Sequence, residues 1–165
     1  MKTVGIYPGT FDPITKGHLD VIKRALLIVD KLIISVAKVS GKNTLFNQEK
    51  RVELVKKDLI GLSTEKHRLE VLPFNGLLVD FVKEKKANFI IRGIRSGSDF
   101  EYEFRMAAMN KKLFENCETI FLPAIESTQF ISSSIVKQIA SLNGGISSFV
   151  SKNVEIELKK IYKIL

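Results

Sequence analysis

Near the amino terminus, the run Tyr7-Pro8-Gly9-Thr10-Phe11-Asp12-Pro13-Ile14-Thr15-Lys16-Gly17-His18 gathers glycines, prolines, threonine hydroxyls and a histidine. It follows a short apolar segment, Thr3-Val4-Gly5-Ile6, and leads into an amphipathic one from Leu19 onward. The spacing predicts a strand, a turn and a helix. The turn then lies at the carboxyl end of a strand, where open α/β sheets bind ligands. His18 falls in the first helical turn, whose free N–H groups attract anions. Gly9 and Gly17 let backbone approach a phosphate closely. A lone histidine sharing a face with Ile22 would ordinarily belong to the core. The Thr-x-Gly-His context at a strand–helix junction favours a donor to phosphoryl oxygens instead.

Three further clusters fall near strand ends or helix starts. Lys42 lies beside Gly41 in the loop that follows the second expected strand, where the competing reading is a solvated lysine. In Ile90-Ile91-Arg92-Gly93-Ile94-Arg95-Ser96-Gly97, two arginines flank a glycine just where an apolar segment stops. A guanidinium fork suits phosphate geometry better than a point charge. An RNA-binding loop would carry interleaved aromatics to stack bases, and this one has none. The helix that follows places Glu103, Met106 and Asn110 on one face. Last comes Phe130-Ile131-Ser132-Ser133-Ser134. One serine cap stabilises a helix by about 1 kcal/mol and needs one hydroxyl, so three in a row leave two to explain. No Walker sequence is present, because Gly41-Lys42 lacks the upstream glycine and the following Ser or Thr, and G-x-G-x-x-G is missing too. A nucleotide must be held in another way.

Positioning these clusters requires alternating elements. Strands are expected at Thr3–Tyr7, Lys31–Val39, Leu69–Pro73, Asn88–Arg92 and Glu118–Leu122. They are short, rich in Val and Ile, and apolar on both faces, as buried parallel strands are. Helices are expected at Gly17–Val29, Gln48–Ile60, Leu77–Lys86, Asp99–Glu115, Ser133–Leu142 and Val154–Ile164. His18, Ile22, Ala25 and Val29 share one face of the first. Ser98-Asp99-Phe100-Glu101 reads as a capping box. Val154, Leu158, Ile161 and Leu165 form a stripe on the last, to pack on the domain or on another subunit. Ser63 to Arg68 reads as a surface loop. The outcome is one α/β domain over residues 1–165, a Rossmann-like five-stranded parallel sheet with helices on both faces and right-handed crossovers.

The bulk composition narrows the classes. At 165 residues, 45% hydrophobic and 27% charged, the chain is an ordinary globular one. No apolar run reaches the ~18 residues of a membrane span, and the amino terminus lacks signal-peptide character. The single cysteine, Cys117, permits no intrachain disulfide and reads as a buried, inert thiol. Two scattered histidines and one cysteine make a structural zinc site improbable. A cytoplasmic location follows from these traits. The net charge of +8 suits a nucleic-acid partner, but the lysines are dispersed over helices, so no nucleic-acid or membrane partner is expected.

With these residues in view, the chain resembles the bacterial phosphopantetheine adenylyltransferases, essentially from end to end. The segment from Tyr7 to His18 is nearly the full family signature. Ile91 to Arg95, Asp99 to Glu103 and Phe130 to Ser134 match its other signatures in order. The Thr-x-Gly-His and serine segments are shared with the wider nucleotidyltransferase superfamily, whereas Arg-Gly-x-Arg and Asp-Phe-Glu-Tyr-Glu discriminate for this member. The resemblance implies a homohexamer that joins ATP and 4′-phosphopantetheine with Mg²⁺, giving dephospho-coenzyme A and pyrophosphate. It implies phosphopantetheine contacts from Thr10, Lys42, Leu78 and Arg92. It implies ATP contacts from Thr10, Phe11, His18, Gly93, Ile94, Arg95, Glu103, Thr128, Gln129, Phe130, Ile131, Ser132, Ser133 and Ser134. His18 would stabilise the transition state, with Lys42 and Arg95 as catalytic cations and no protein ligand to the metal. Thr128-Gln129 stands where an aromatic residue often precedes the serine run, so contacts there would run through backbone. The loop at 63–68 is a few residues longer than the family pattern.

The expected chemistry is in-line attack of a substrate phosphate on the α-phosphorus of ATP, with no covalent enzyme intermediate. Two unit charges 4 Å apart repel by roughly 4 kcal/mol at an effective dielectric of 20. Lys42, Arg92, Arg95, helix ends and magnesium would offset that together. Rival readings are a nucleotidyltransferase with another acceptor, such as nicotinamide mononucleotide or glycerol phosphate, a basic nucleic-acid binder, and a non-catalytic protein retaining the fold.

Overall fold

The computed structural model of the chain describes residues 2–38, 44–60, 62 and 66–163. Lys42, expected at the site, lies outside them, as do Ser63 to Glu65 and the Leu165 end of the last stripe.

The elements run β1 (Val4–Gly9), α1 (Lys16–Ala25), β2 (Lys31–Ala37), α2 (Gln48–Asp58), a short 3-10 turn (Lys66–Arg68), β3 (Leu69–Phe74), α3 (Leu78–Glu84), β4 (Phe89–Ile94), α4 (Gly97–Leu113), β5 (Glu118–Pro123), α5 (Ser133–Ser141) and α6 (Lys152–Tyr162). The five strands form one parallel sheet in the order β3-β2-β1-β4-β5. Strand order reverses between β1 and β4, so their carboxyl ends frame the crevice in which such sheets take ligands.

Alternation along the strands divides the core between two faces. Tyr7, Leu32, Ile34, Val36 and Ile91 pack under α1, α2, α5 and α6. Ile6, Ile33 and Ile90 pack on the other face with Phe81 and Val82 of α3 and with Cys117. Helices therefore cover both faces, as expected. Burial pushes the Cys117 thiol up to about 11, with the Glu118 charge adding to it, which leaves a protonated, unreactive sulfur. Val154 and Leu158 of α6 are fully buried in this same unit, so the stripe packs on the domain as far as Ile161, which is exposed. Among the described residues, no helix is long and apolar enough to cross a membrane. The lysine-rich helices carry their own counter-charges, as in Lys57–Glu53, Lys159–Glu155 and Lys160–Glu157.

Several boundaries differ from the sequence expectation. β1 and β4 each run two residues further, to Gly9 and Ile94. Those extra residues, Pro8, Gly9, Gly93 and Ile94, line the crevice together with Tyr7 and Arg92. α4 starts at Gly97 with Ser96 as its cap, accepting from the Asp99 N–H at 3.2 Å, so the expected Ser98 capping box does not form. The Ser98 hydroxyl instead bonds that of Ser96 at 2.9 Å. α1 ends at Ala25 rather than Val29. The carbonyls beyond it, on Leu26, Val29 and Asp30, are taken by the Arg68 guanidinium, which gives that supposed surface loop a structural task.

Candidate active site

The first turn of α1 fixes the histidine. Thr15 caps the helix, and its backbone N–H donates to His18 Nδ1 at 3.0 Å. A backbone N–H can only donate, so Nδ1 is the acceptor and the ring proton sits on Nε2. The Thr15 hydroxyl is also 2.9 Å from Nδ1. The ring meets the edge of Phe11 with centroids 5.0 Å apart. Burial, then the charges of Arg95 and Arg92, lower the His18 pKa to about 4. At neutral pH the side chain is a neutral imidazole with one fixed donor, Nε2–H. Sequence alone had left this protonation state open.

The loop after β1 is tightly built. Gly9 is required by space: a Cβ there would lie 2.9 Å from the Phe11 ring. Phe11 itself holds a left-handed φ of 50°. The Asp12 carboxylate is buried and accepts from the Leu45 and Phe46 N–H groups, each at 2.9 Å, and from Lys137 Nζ at 2.7 Å. The Asp12–Pro13 peptide is cis.

The end of β4 supplies the arginines. Arg92 forms a two-pronged pair with Glu103 of α4, its Nε 2.7 Å from Oε2, and Nη1 donates to the Pro8 carbonyl at 2.8 Å. Arg95 Nε lies 2.9 Å from Asp99. Both cations are thus held by acidic residues one helical turn apart on α4. Between them, Gly93 allows close packing on α1, since a Cβ would come 2.9 Å from Val21 Cγ2.

The serine run is less spare than its sequence suggested. Ser132 caps α5 by accepting from the Ile135 N–H at 3.2 Å. Ser133 donates to the Pro13 carbonyl at 2.8 Å, and Ser134 bonds Ser132 at 3.0 Å. All three hydroxyls have internal partners, so none is surplus. The free N–H groups of the α5 amino terminus remain for an anion.

These parts surround two adjacent cavities. The larger, about 540 Å³, is lined by Thr10, Phe11, His18, Gly93, Ile94, Arg95, Glu103, Thr128 and Ile131 to Ser134. The smaller, about 270 Å³ and more apolar, is lined by Ala37, Phe74, Leu78, Tyr102, Met106 and Asn110. Pro8, Gly9, Thr10, Arg92 and Glu103 line both. Residues expected at an ATP site thus gather in the larger space, and Thr10, Leu78 and Arg92, expected at an acceptor site, share the smaller one. Gln129 and Phe130 stand apart, lining an open depression next to Arg95 and Asp99. Sequence reasoning gave no role to Asp12, Lys137 or Arg51. Lys137 lies one turn after Ser133 on the face toward the larger cavity, a spacing that was legible. Arg51 shares an i, i+3, i+4 stripe with the buried Leu54 and Val55, so its place on an apolar face was the available signal.

Among the described residues no group of three or more His, Cys, Asp or Glu side chains converges to hold a metal. The carboxylates nearest the larger cavity are already tied to Arg92, Arg95 and Lys137.

A crevice at the β1/β4 switch point, with a helix-borne histidine and a serine-capped helix facing it, defines a nucleotidyltransferase-type site. The cytidylyltransferase-like family model matches residues 6–139. Solved structures share the fold: a Plasmodium falciparum nicotinic acid mononucleotide adenylyltransferase complexed with NaAD superposes with a TM-score of 0.70 at 17% identity, covering 99% of this chain and 97% of that one. A bifunctional NMN adenylyltransferase/ADP ribose pyrophosphatase from Francisella tularensis reaches 0.73 at 16% identity, covering 99% of this chain and 52% of that one. Sequence relatives are far nearer. A phosphopantetheine adenylyltransferase of Wolbachia pipientis subsp. Culex pipiens is 55% identical, covering 98% of this chain and 94% of the relative. One from Pelagibacter ubique is 49% identical over 99% of this chain and all of its own length. The chain belongs to the phosphopantetheine adenylyltransferase family and is an enzyme.

Proposed function

We propose that this chain transfers the adenylyl group of ATP, reversibly, to 4′-phosphopantetheine in coenzyme A biosynthesis. One observation carries the reading: a larger polar cavity and a smaller apolar one meet at Thr10, Arg92 and Glu103. A bisubstrate reaction needs that geometry, with the reacting phosphates at the junction and the pantetheine arm against Leu78, Phe74 and Met106. An oxygen of the acceptor phosphate attacks the α-phosphorus. The bond to the β-phosphate oxygen breaks in line, and pyrophosphate leaves with that electron pair. Dephospho-coenzyme A remains.

The protein's work in this scheme is placement and charge stabilisation. Thr10 and Arg92 hold the acceptor phosphate, and Lys42, outside the described residues, is assigned to it by the family resemblance alone. His18 donates through Nε2–H to an oxygen of the five-coordinate phosphorus. Arg95 and the N–H groups of α5 take the β- and γ-phosphates, and Thr128 and Ile131 line the nucleotide's path, with Gln129 and Phe130 at the depression beside Arg95. Magnesium, bound to the phosphates, neutralises part of their charge. Arg92 and Arg95 must exchange their carboxylate partners for phosphate, or share them. A homohexamer in the cytoplasm completes the proposal; its support is α4, which buries none of its residues and exposes Tyr102, Phe104, Met109 and Leu113.

The test is pyrophosphate release from magnesium-ATP with and without 4′-phosphopantetheine. Release that depends on the acceptor is expected. Release that nicotinamide mononucleotide or glycerol phosphate supports equally well, or none with any acceptor, refutes the assignment. Native mass spectrometry of the intact protein checks the subunit number.

A further inference from the structure

We infer that Arg51, the buried guanidinium on α2, is a positioning residue for the phosphate site: it turns the Thr10–Phe11 peptide so that the Phe11 N–H faces the cavity. The inference rests on the adenylyl-transfer reading above. Arg51 is 2% exposed. Its partners among the described residues are main-chain carbonyls: Nε donates to Phe46 at 3.1 Å, and Nη1 donates to Ala37 at 2.9 Å and to Thr10. Burial disfavours the charge on this guanidinium, and the nearby Asp12 and Glu49 charges only partly oppose that.

Tying strand ends together does not require a cation. Gln48, in the same turn of α2, does so with a neutral amide, donating to the Val36 and Phe74 carbonyls at 2.8 and 3.2 Å. A buried positive charge directly behind the Thr10–Phe11 turn is explained by an anion on the turn's other side.

Peptide geometry makes the link specific. A trans peptide is planar, and its carbonyl and N–H point in opposite directions. The Thr10–Phe11 peptide is trans. With the Thr10 carbonyl turned into Arg51, the Phe11 N–H points the other way, and both residues line the larger cavity. That N–H has no acceptor among the described residues. Phe11 keeps a left-handed φ of 50°, a conformation that side-chain-bearing residues hold only when neighbours over-determine it. Arg51 on one side and the buried Asp12 on the other provide that hold.

The experiment compares wild type with Arg51→Met, Arg51→Lys and Gln48→Leu. It reads steady-state pyrophosphate release and the ¹H–¹⁵N shift of the Phe11 amide on adding magnesium-ATP or inorganic pyrophosphate. In wild type the Phe11 amide moves downfield with ligand. Arg51→Met loses that response, and kcat falls about 100-fold, as for a reacting group misplaced by an ångström. Gln48→Leu, which loosens the strand ends without touching Thr10, keeps the response and a kcat within about threefold. Should Arg51→Met fail to fold, Arg51→Lys is decisive. It keeps the charge but lacks the fork that reaches the Thr10, Ala37 and Phe46 carbonyls together, so a diminished response and a roughly tenfold loss of kcat are expected. A folded Arg51 variant with wild-type kcat and an unchanged Phe11 response overturns the inference, as does Gln48→Leu matching the Arg51 losses. If wild type itself releases no pyrophosphate, the adenylyl-transfer reading fails separately. The Phe11 response to inorganic pyrophosphate still decides for Arg51: lost in the variant it supports the inference, kept it refutes it.

Discussion

Arg92, near the end of β4, and Glu103, in the second turn of α4, form a two-pronged ion pair at the junction of the two cavities. The third contact of the guanidinium, 2.8 Å to the Pro8 carbonyl, ties it to β1 across the switch point. The arginine is therefore oriented before any phosphate arrives.

Arg92→Lys keeps the charge and loses the fork. Hydrogen bonds to charged groups contribute about 1.5–3 kcal/mol each, so a loss of about one such bond to phosphate is expected to raise the acceptor's KM roughly 10- to 100-fold. The KM of ATP should change less. Initial rates at varied concentrations of each substrate separate the two.

His18→Ala removes the Nε2–H donor that Thr15 orients. Loss of one such preorganised donor costs about 100- to 1000-fold in kcat. Substrate binding by calorimetry should survive, because the arginines and helix ends remain. Near-normal turnover would remove His18 from the mechanism.

The pH dependence follows from opposite shifts. The folded His18 pKa, about 4, lies below its ordinary value of 6.5. Between those values the unfolded chain binds the extra proton, so this histidine's contribution is complete above pH 6.5 and is lost as pH falls toward 4. Asp58 behaves oppositely: burial raises its pKa, so its ionisation destabilises the fold as pH rises through that raised range. Its Oδ1 accepts from the Ser151 hydroxyl at 2.6 Å, while Oδ2 is buried without a partner among the described residues. Urea unfolding at pH 7 and pH 5 should show a smaller loss of stability on acidification in His18→Ala than in wild type. Asp58→Asn should gain more at pH 7 than at pH 4.

Gly93→Ala places a methyl 2.9 Å from Val21 Cγ2, a branched side chain with little room to yield. Overpacking of this kind costs about 1–3 kcal/mol and should shift α1, and with it His18, away from β4. Thermal unfolding and kcat should both fall. Adding Val21→Ala should restore part of each, whereas a backbone cause at Gly93 would not respond to that second change.

The sequence by itself determined the alternation of apolar strands with amphipathic helices, because burial on both faces of a parallel sheet writes continuous Val and Ile runs. It also determined which loops end at the crevice, since glycine, proline and charged residues cluster where strands stop. The partners of those residues were not legible. Asp99 read as part of a capping box, and Glu103 as one residue of a helix face, until the fold set them against Arg95 and Arg92. The serine hydroxyls looked spare until Pro13, distant in the chain, came within 2.8 Å of Ser133. Asp12 and Lys137, also far apart in sequence, meet at 2.7 Å. Local pattern records what each segment buries. Which charge faces which, the tautomer of His18 and the direction of a single peptide at Thr10 depend on contacts across the whole chain, and only tertiary packing decides them.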